Sequence, residues 1–203
     1  DEAGSYMAIG RAMYERDRTV RAVPCWLVFD DGYRRRYSHG LSRPGKLPAG
    51  LLDSGTLKRA DTLAELAAAC GIDPDGLVDQ VARFNEGAAK GVDPEHGRGA
   101  SAYDRAMGDP GHRPNPSLGP VARAPFYAVE VVPSDIGTCG GLVTDADGRV
   151  LGADEAPIPG LYATGNTTAT VMGRHYLGAG ASIANTMVFG YRAAHHAATQ
   201  EGT

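Results

Sequence analysis

The sequence has little of what marks several large classes of protein. It holds only three cysteines in 203 residues, Cys25, Cys70 and Cys139, and their spacing matches no zinc motif, so we expect reduced thiols and no metal site. No apolar run approaches the ~20 residues of a membrane span, and the opening stretch DEAGSYMAIG has no apolar signal-peptide core. A net charge of −4 argues against a nucleic-acid partner. These absences together predict a cytoplasmic protein without a transmembrane segment.

What is present is the composition of an ordinary folded domain. Forty-two per cent of the residues are hydrophobic, and the length suffices for one or one and a half domains with an apolar core. The chain begins at Asp1 rather than at a methionine, in what reads as the middle of a domain. We therefore expect further protein upstream of it or on a separate chain.

The first part of the chain alternates helix and strand signals. Residues 5–18 predict a helix and residues 23–30 a buried strand. Two further helices are predicted over 61–71, where Thr62 and Glu65 form a capping box, and over 73–91, where Asp73 is the N-cap.

Two segments between these elements predict no regular structure. Residues 33–50 are basic and rich in loop residues. Residues 92–120 form a long Gly- and Pro-rich segment, which predicts a functional loop or one that wraps a neighbour.

The pattern changes from Phe126 onward. Residues 126–133 predict a strand, residues 141–151 a hairpin that turns at Asp147-Gly148, and the run GLYATGN a buried apolar strand. A final amphipathic helix starts near Ser182. This order suits the closing piece of an α/β nucleotide-binding domain whose first piece is absent.

The motif PGLYATGN, residues 159–166, ends its strand in Gly165. A glycine lets a ligand approach the backbone, and the amide of Asn166 suits hydroxyl or phosphate groups. A strand that simply ends in a tight turn explains the same residues.

The motif YLGAGASIANTMVFG, residues 176–190, places small residues before a helix. Gly178, Ala179 and Gly180 leave the first N–H groups of that helix accessible, with Ser182 as the predicted N-cap. Such a helix start attracts an anion, including the N1–C2=O2 edge of a reduced flavin. A glycine-rich helix start for close packing is the alternative.

The two motifs, taken together and in this order, resemble those of a known protein family. The stretch GGLVTDADGRVL, with IPGLYATGN and YLGAGASIANTMVFGYRAA after it, resembles the C-terminal flavin-binding end of the fumarate reductase/succinate dehydrogenase flavoprotein superfamily. It is most similar to the 3-ketosteroid dehydrogenases, above all the Δ1-dehydrogenases. Upstream stretches such as LVDQVARFNEGAAKGVDPEHGRG and PNPSLGPVARAPFYAV are similar to that family's cap domain, so the resemblance covers almost the whole chain.

The resemblance implies a division into two domains. Residues 1–136 are expected to form an α+β cap, or catalytic, domain, and residues 137–203 the C-terminal segment of a Rossmann-like FAD-binding domain. The family's Gly-x-Gly-x-x-Gly fingerprint is absent here. An N-terminal FAD-binding half, in the same protein or on a separate chain, is therefore an expected partner.

The resemblance also implies FAD as the cofactor and a set of residues that contact it. These are Gly140, Gly141, Gly165, Asn166, Ala179, Ser182 and Ile183.

A tyrosine replaces an arginine at the substrate position. Fumarate reductases carry Arg-Leu-Gly-Gly-Asn-Ser here, and the arginine binds a carboxylate. This sequence has Tyr176, whose neutral phenol suits a ketone oxygen. The resemblance implies that Tyr176 and the Gly180 N–H form an oxyanion hole on the C3 carbonyl of a steroid.

The same resemblance implies the base. The family carries a tyrosine in the context Asn-Glu-Ala/Ser-x-Pro-Tyr, and DEAGSY matches it with Tyr6 as the base, although Asp1 replaces the asparagine and Ser5 the proline. Tyr6 would take a proton beside the carbonyl while flavin N5 accepts a hydride from the next carbon. The product is a C1–C2 double bond.

Three alternatives remain open from the sequence. The same oxyanion hole serves Δ4-(5α) ketosteroid dehydrogenation, and another flavin-dependent enone oxidoreductase fits as well. A non-catalytic subunit or fragment that needs a partner chain for FAD is the third. The sequence leaves the electron acceptor unassigned.

Overall fold

A computed structural model describes residues 2–40, 42–138 and 140–200. The chain forms two compact units, Asp1–Pro133 and Ser134–Thr203, which we call the first and the second unit and describe separately. Both mix helices with strands, in agreement with the predicted class.

The described part of the first unit contains six helices and a three-stranded sheet. In chain order they are α1 (Tyr6–Asp17), β1 (Cys25–Asp30), α2 (Asp31–Arg36), α3 (Ala49–Asp53), β2 (Leu57–Ala60), α4 (Leu63–Cys70), α5 (Pro74–Lys90), α6 (Ala102–Met107) and β3 (Phe126–Val131). The sheet has the order β1-β3-β2, and β3 is antiparallel to both neighbours.

Alternation along the strands gives this sheet two apolar faces. On one face Phe29, Leu57 and Tyr127 are buried together. On the other face Phe126 and Ala128 pack with Leu66 of α4. The first unit therefore has apolar packing on both sides of its sheet.

The helices α4 and α5 begin and end where the sequence predicts. Thr62 accepts a bond from the N–H of Glu65, and the Glu65 carboxylate accepts from the N–H of Thr62, so the predicted capping box is confirmed. Asp73 accepts from the N–H of Asp75 at the start of α5. Both helices end at a left-handed glycine, Gly71 and Gly91.

Two short helices lie where the sequence predicts loops. Asp30 caps α2 and accepts bonds from the N–H groups of Tyr33, Ala122 and Arg123. The helix α6 lies inside the segment 92–120, and Ser101 accepts from the N–H of Asp104 at its start. The prediction of irregular structure was therefore wrong at both places, because local caps and distant backbone donors stabilise these turns.

The described part of the second unit contains a two-stranded antiparallel sheet, β4 (Arg149–Leu151) with β5 (Pro157–Tyr162), and a long helix, α7 (Ala181–Gln200). A 3₁₀ turn over Gly165–Thr167 follows β5. The predicted hairpin near Asp147-Gly148 is reduced to one antiparallel bridge, between Thr144 and Val150.

The predicted burial of the GLYATGN strand is wrong. Residues 157–161 of β5 are exposed, including Ile158 and Leu161. The apolar sequence makes the strand suitable for burial, but no described part of the second unit covers it.

Two of the three cysteines lie within the described residues. Cys25 and Cys70 are both free thiols, as predicted, and burial raises the pKa of each. Cys139 lies outside the described residues.

Candidate active site

The loop before α7 has the backbone that the glycines of the second motif permit. Gly178 and Gly180 adopt φ angles of 131° and 89°. A Cβ on Gly180 would meet nothing within 4 Å. Gly180 is therefore needed for its backbone conformation, and the space beside it is open within this unit.

The start of α7 carries backbone donors. The N–H of Ala184 donates to the carbonyl of Gly180 at 2.8 Å, and the N–H of Ala181 donates to Gly178 at 3.2 Å. Across the described residues, no backbone carbonyl accepts from the N–H of Ser182 or Ile183. The positive end of a 20-residue helix therefore carries two N–H donors that no described backbone carbonyl uses.

The prediction that Ser182 is the N-cap is wrong. An N-cap residue accepts the first bond of the helix on its carbonyl, and here Gly180 does so. Ser182 lies in the first turn of α7 instead.

The structure brings the two motifs together in one recess. Asn166 from the first motif and Ser182 and Ile183 from the second line an open recess of about 270 Å³, together with Thr186 and Met187 of α7. Three of the predicted cofactor-binding residues therefore share one surface. Thr186 and Met187 were not predicted, although both follow the helix start at the spacing of one turn.

Gly165 has a clear structural task beside this recess. It is buried with φ +73°, and a Cβ there would lie 2.9 Å from Oγ1 of Thr186. The glycine lets the turn after β5 lie against α7, which holds Asn166 at the edge of the recess. The hydroxyl of Thr168 donates to the Gly165 carbonyl at 2.8 Å and fixes the turn.

Gly140 and Gly141 differ in their surroundings. A Cβ on Gly141 would lie 2.0 Å from the carbonyl oxygen of Thr167, whereas one on Gly140 would meet nothing within 4 Å. The next residue, Leu142, donates its N–H to the same Thr167 carbonyl at 2.9 Å. Gly141 thus permits a close backbone contact inside the unit, and Gly140 lies on an open surface.

The predicted catalytic residues lie in different units. Tyr176 is half-buried and lies, with exposed Ala179 and Gly180, on the loop before α7. Tyr6 is the first residue of α1 and is 52% exposed, and Ser5 caps that helix by accepting from the N–H of Ala8 at 3.3 Å. The proposed cooperation of Tyr6 with Tyr176 stays a prediction.

A groove in the first unit was not predicted. It measures about 340 Å³ and lies between β1 and α5, with an apolar floor that includes Trp26 and Phe84 and a rim of charged side chains. On this rim Arg98 forms an ion pair with Glu2. Burial lowers the pKa of Arg98, and the charge of Asp104 opposes that shift.

Within the ranges that the structure describes, no helix is both long and apolar enough to cross a membrane. The same ranges contain no group of three or more His, Cys, Asp or Glu side chains that could hold a metal ion.

Comparison with known sequences identifies the family. A profile of the FAD binding domain family matches residues 1–183. The chain therefore belongs to the FAD binding domain family, and FAD is the cofactor of that family.

Its relatives include enzymes that act on cyclic ketones. The chain is 51% identical over 181 residues to a 3-oxosteroid 1-dehydrogenase of Mycobacterium tuberculosis, covering 89% of this chain and 32% of that protein. It is 38% identical over 194 residues to a 4-oxocyclohex-2-ene-1-carboxylate 5-dehydrogenase of Sinomonas cyclohexanicum, covering 95% and 33%. The chain thus spans about a third of the length of these curated relatives.

A solved structure has the same fold over nearly the whole chain. The 3-ketosteroid Δ1-dehydrogenase of Sterolibacterium denitrificans, in complex with 1,4-androstadiene-3,17-dione, matches with a TM-score of 0.91 and 44% identity. The match covers 98% of this chain and 36% of that one.

Proposed function

We propose that this chain supplies the cap domain and the closing part of the flavin site of an FAD-dependent 3-ketosteroid dehydrogenase. The reaction introduces a C1–C2 double bond. The observation that carries the proposal is the likeness to the steroid-bound Sterolibacterium enzyme, at 44% identity and a TM-score of 0.91. That likeness covers 98% of this chain and 36% of the Sterolibacterium enzyme.

The residues of the second unit fit a bound flavin. The N–H groups of Ser182 and Ile183 and the positive end of α7 suit the N1–C2=O2 edge, where negative charge develops on reduction. The Asn166 amide lines the same recess and suits a hydroxyl or phosphate group. FAD, when bound, accepts the hydride that leaves the substrate.

The other predicted contacts fit the same cofactor. Gly140 and Ala179 are exposed and leave room for a ligand beside the backbone. Gly141 and Gly165 hold the surrounding turns in place through close contacts within the unit.

Tyr176 and Gly180 are proposed to bind the substrate carbonyl. The Tyr176 hydroxyl and the Gly180 N–H would donate to the C3 oxygen of the steroid. Loss of the proton from the neighbouring carbon builds enolate charge on that oxygen. A fixed donor at such an oxygen lowers the activation barrier by about 3–4 kcal/mol.

Tyr6 is proposed to take that proton. It is the first residue of a 12-residue helix that Ser5 caps, so its side chain leans toward the N-terminus of α1. Proton removal by a positioned base contributes about 10²–10⁴-fold to a rate.

The second unit is proposed to complete its packing against an N-terminal FAD-binding half, in the same protein or on a separate chain. Ile158 and Leu161 of β5 and Ile183, Met187 and Tyr191 of α7 are all exposed in this chain. Apolar side chains on a strand and a helix are typical of surfaces that pack inside a larger domain. The threefold greater length of the relatives supports this assignment.

The free thiols of Cys25 and Cys70 support a cytoplasmic location.

An anaerobic titration tests the function. The complete protein, including the upstream half and FAD, is mixed with a 4-ene-3-ketosteroid while the visible flavin absorbance is recorded. We expect prompt bleaching and a 1,4-diene product. Bound flavin that stays oxidised with every steroid tested would refute the proposed activity.

A second candidate is dehydrogenation of a smaller cyclic ketone. The 38% identity over 95% of the chain to the Sinomonas cyclohexene-carboxylate enzyme favours it. The same titration with 4-oxocyclohex-2-ene-1-carboxylate separates the two substrates. Product analysis with a 3-ketosteroid that is saturated at C4–C5 separates C1–C2 from C4–C5 chemistry, because a 4-ene substrate already holds the C4–C5 double bond.

A further inference from the structure

A mostly buried arginine joins the long loop of the first unit to the segment that precedes α1. Arg98 and Glu2 form an ion pair across 96 positions of sequence. The side chain of Arg98 is only 16% exposed, against 56% for Glu2. The guanidinium also lies 5.1 Å from the ring centre of Phe84 on α5. One side chain thus links three parts of the unit.

The loop that carries Arg98 is held by its own carboxylate. Asp93 accepts bonds from the N–H groups of Glu95, His96 and Arg98, at 3.1, 3.2 and 3.3 Å. Three donors on one carboxylate fix a turn that would otherwise be free to change conformation. The backbone of Arg98 is therefore restrained from its N-terminal side.

The residue after Arg98 is held from the other side. The N–H of Gly99 donates to the buried Asp104 at 3.0 Å, and its carbonyl accepts from Arg105 at 2.8 Å and from the buried Asn115 at 3.2 Å. A Cβ on Gly99 would lie 2.3 Å from the Asn115 amide oxygen. Hydrogen bonds on both sides therefore fix the backbone of the loop at Arg98.

A cation in this position needs a counter-charge. Removing a guanidinium from water is costly unless it is paired, and leaving one partner of such a pair alone is strongly destabilising. Glu2 supplies a negative charge and lies four residues before Tyr6. Since Ser5 caps α1 directly before Tyr6, a restraint on Glu2 also restrains the start of that helix.

We propose that Arg98 is a positioning residue for the reaction, because its ion pair with Glu2 fixes the start of α1 and hence the place of the Tyr6 hydroxyl. The inference rests on the proposed function, in which Tyr6 is the base. It also gives a role to part of the long segment 92–120, whose hydrogen bonds hold the backbone around Arg98.

The test uses the complete, FAD-loaded protein with the substitution Glu2→Gln. We expect kcat to fall roughly tenfold to a hundredfold, as a displacement of about 1 Å in a reacting group does, with FAD content unchanged. With a steroid deuterated at the carbon beside the carbonyl, the isotope effect on kcat is expected to rise, because a displaced base slows proton removal specifically. The double variant Glu2→Gln/Arg98→Gln should be little slower than Arg98→Gln alone.

The matched control is Glu95→Gln. It removes the same charge from the rim of the same groove, where Glu95 pairs with exposed Arg83 at 3.4 Å, and we expect wild-type kinetics.

Tyr6→Phe separates the possible failures. If it keeps full turnover, the proposed base is wrong and the positioning role is overturned with it. If it loses turnover while Glu2→Gln keeps wild-type kcat, only the positioning role is overturned. A Glu2→Gln variant that loses thermal stability and activity together, at an unchanged isotope effect, shows a structural contact and also overturns the inference.

Discussion

The two units of this chain differ in where their apolar side chains lie. Among the described residues, the first unit buries eleven apolar side chains and the second only Val150 and Ala193. The second unit, about half as long, nevertheless exposes eleven large apolar side chains against nine in the first. The first unit therefore carries its own core, whereas the second presents a surface suited to packing against something else.

The difference follows from the architecture of each unit. The first unit has a three-stranded sheet with apolar clusters on both faces. The second has two strands, and a two-stranded sheet is marginally stable alone in water. The two units therefore differ in role. The first has an apolar core of its own, whereas the second contributes N–H donors and glycine turns to a site that we expect a larger domain to complete.

The largest expected effect comes from separating the units. Residues 2–133 alone should unfold in one cooperative thermal transition, while residues 134–200 alone should show no such transition and should bind a hydrophobic dye. Circular dichroism and dye fluorescence report both. A cooperative transition in the isolated second unit would contradict the inference that this unit lacks a sufficient apolar core of its own.

Core truncation should sharpen the same contrast. Leu66 is fully buried between α4 and the sheet, so Leu66→Ala is expected to cost about 2–5 kcal/mol in the free energy of unfolding. Met187 is 68% exposed, so Met187→Ala should change the unfolding of this chain by less than about 0.5 kcal/mol. With the upstream half present, Met187→Ala is expected to become destabilising. Equal costs in the chain alone would contradict the account.

The two glycines before Leu142 allow a matched test within the second unit. Gly141→Ala forces a Cβ to 2.0 Å from a backbone carbonyl and should destabilise by about 1–3 kcal/mol. Gly140→Ala enters open space and should be nearly neutral in stability. Denaturant unfolding of the complete protein measures both. If the two variants behave alike, the close contact at Gly141 does not matter.

An effect of similar size is expected from an ion-paired carboxylate in the first unit, and it depends on pH. Burial raises the pKa of Asp31, but bonds from Arg34 and Arg35 outweigh burial and lower it overall. The contribution of the Asp31 ion pairs to the stability of the fold is thus complete above pH about 4. It is lost as the pH falls through the pKa that Asp31 has in the folded protein, which is lower. Asp31→Asn should remove about 1.5–3 kcal/mol at neutral pH and flatten the acid side of the stability curve. Asp53→Asn, at the exposed end of α3, is the control and should leave the curve unchanged.

The sequence predicted what local chemistry decides. The starts of α4 and α5 depend on caps within three residues, and both were found. The start of α6 has the same kind of signal, Ser101 before Asp104, which a search for caps in the Gly-rich segment could have detected. The resemblance implied Asn166, Ser182 and Ile183 as flavin contacts, and these three residues line one recess; their binding of flavin stays a prediction.

The features that could not be predicted from the sequence depend on contacts between residues far apart in the chain. The apolar residues of β5 predicted burial, but burial requires a covering element, and no described part of its own unit provides one. The pair Glu2–Arg98 joins residues 96 positions apart, and no local pattern marks it. The misplaced N-cap at Ser182 arose because a glycine, Gly180, takes that position.

The most direct test of the central claim is the rate of flavin reduction in Tyr176→Phe. The variant loses one hydroxyl and keeps the ring, so the complete protein should still bind FAD. The account predicts a rate about 10²–10³-fold lower with a 4-ene-3-ketosteroid, as for loss of one oxyanion donor, while the control Tyr103→Phe on α6 stays at the wild-type rate. An unchanged rate in Tyr176→Phe would contradict the account.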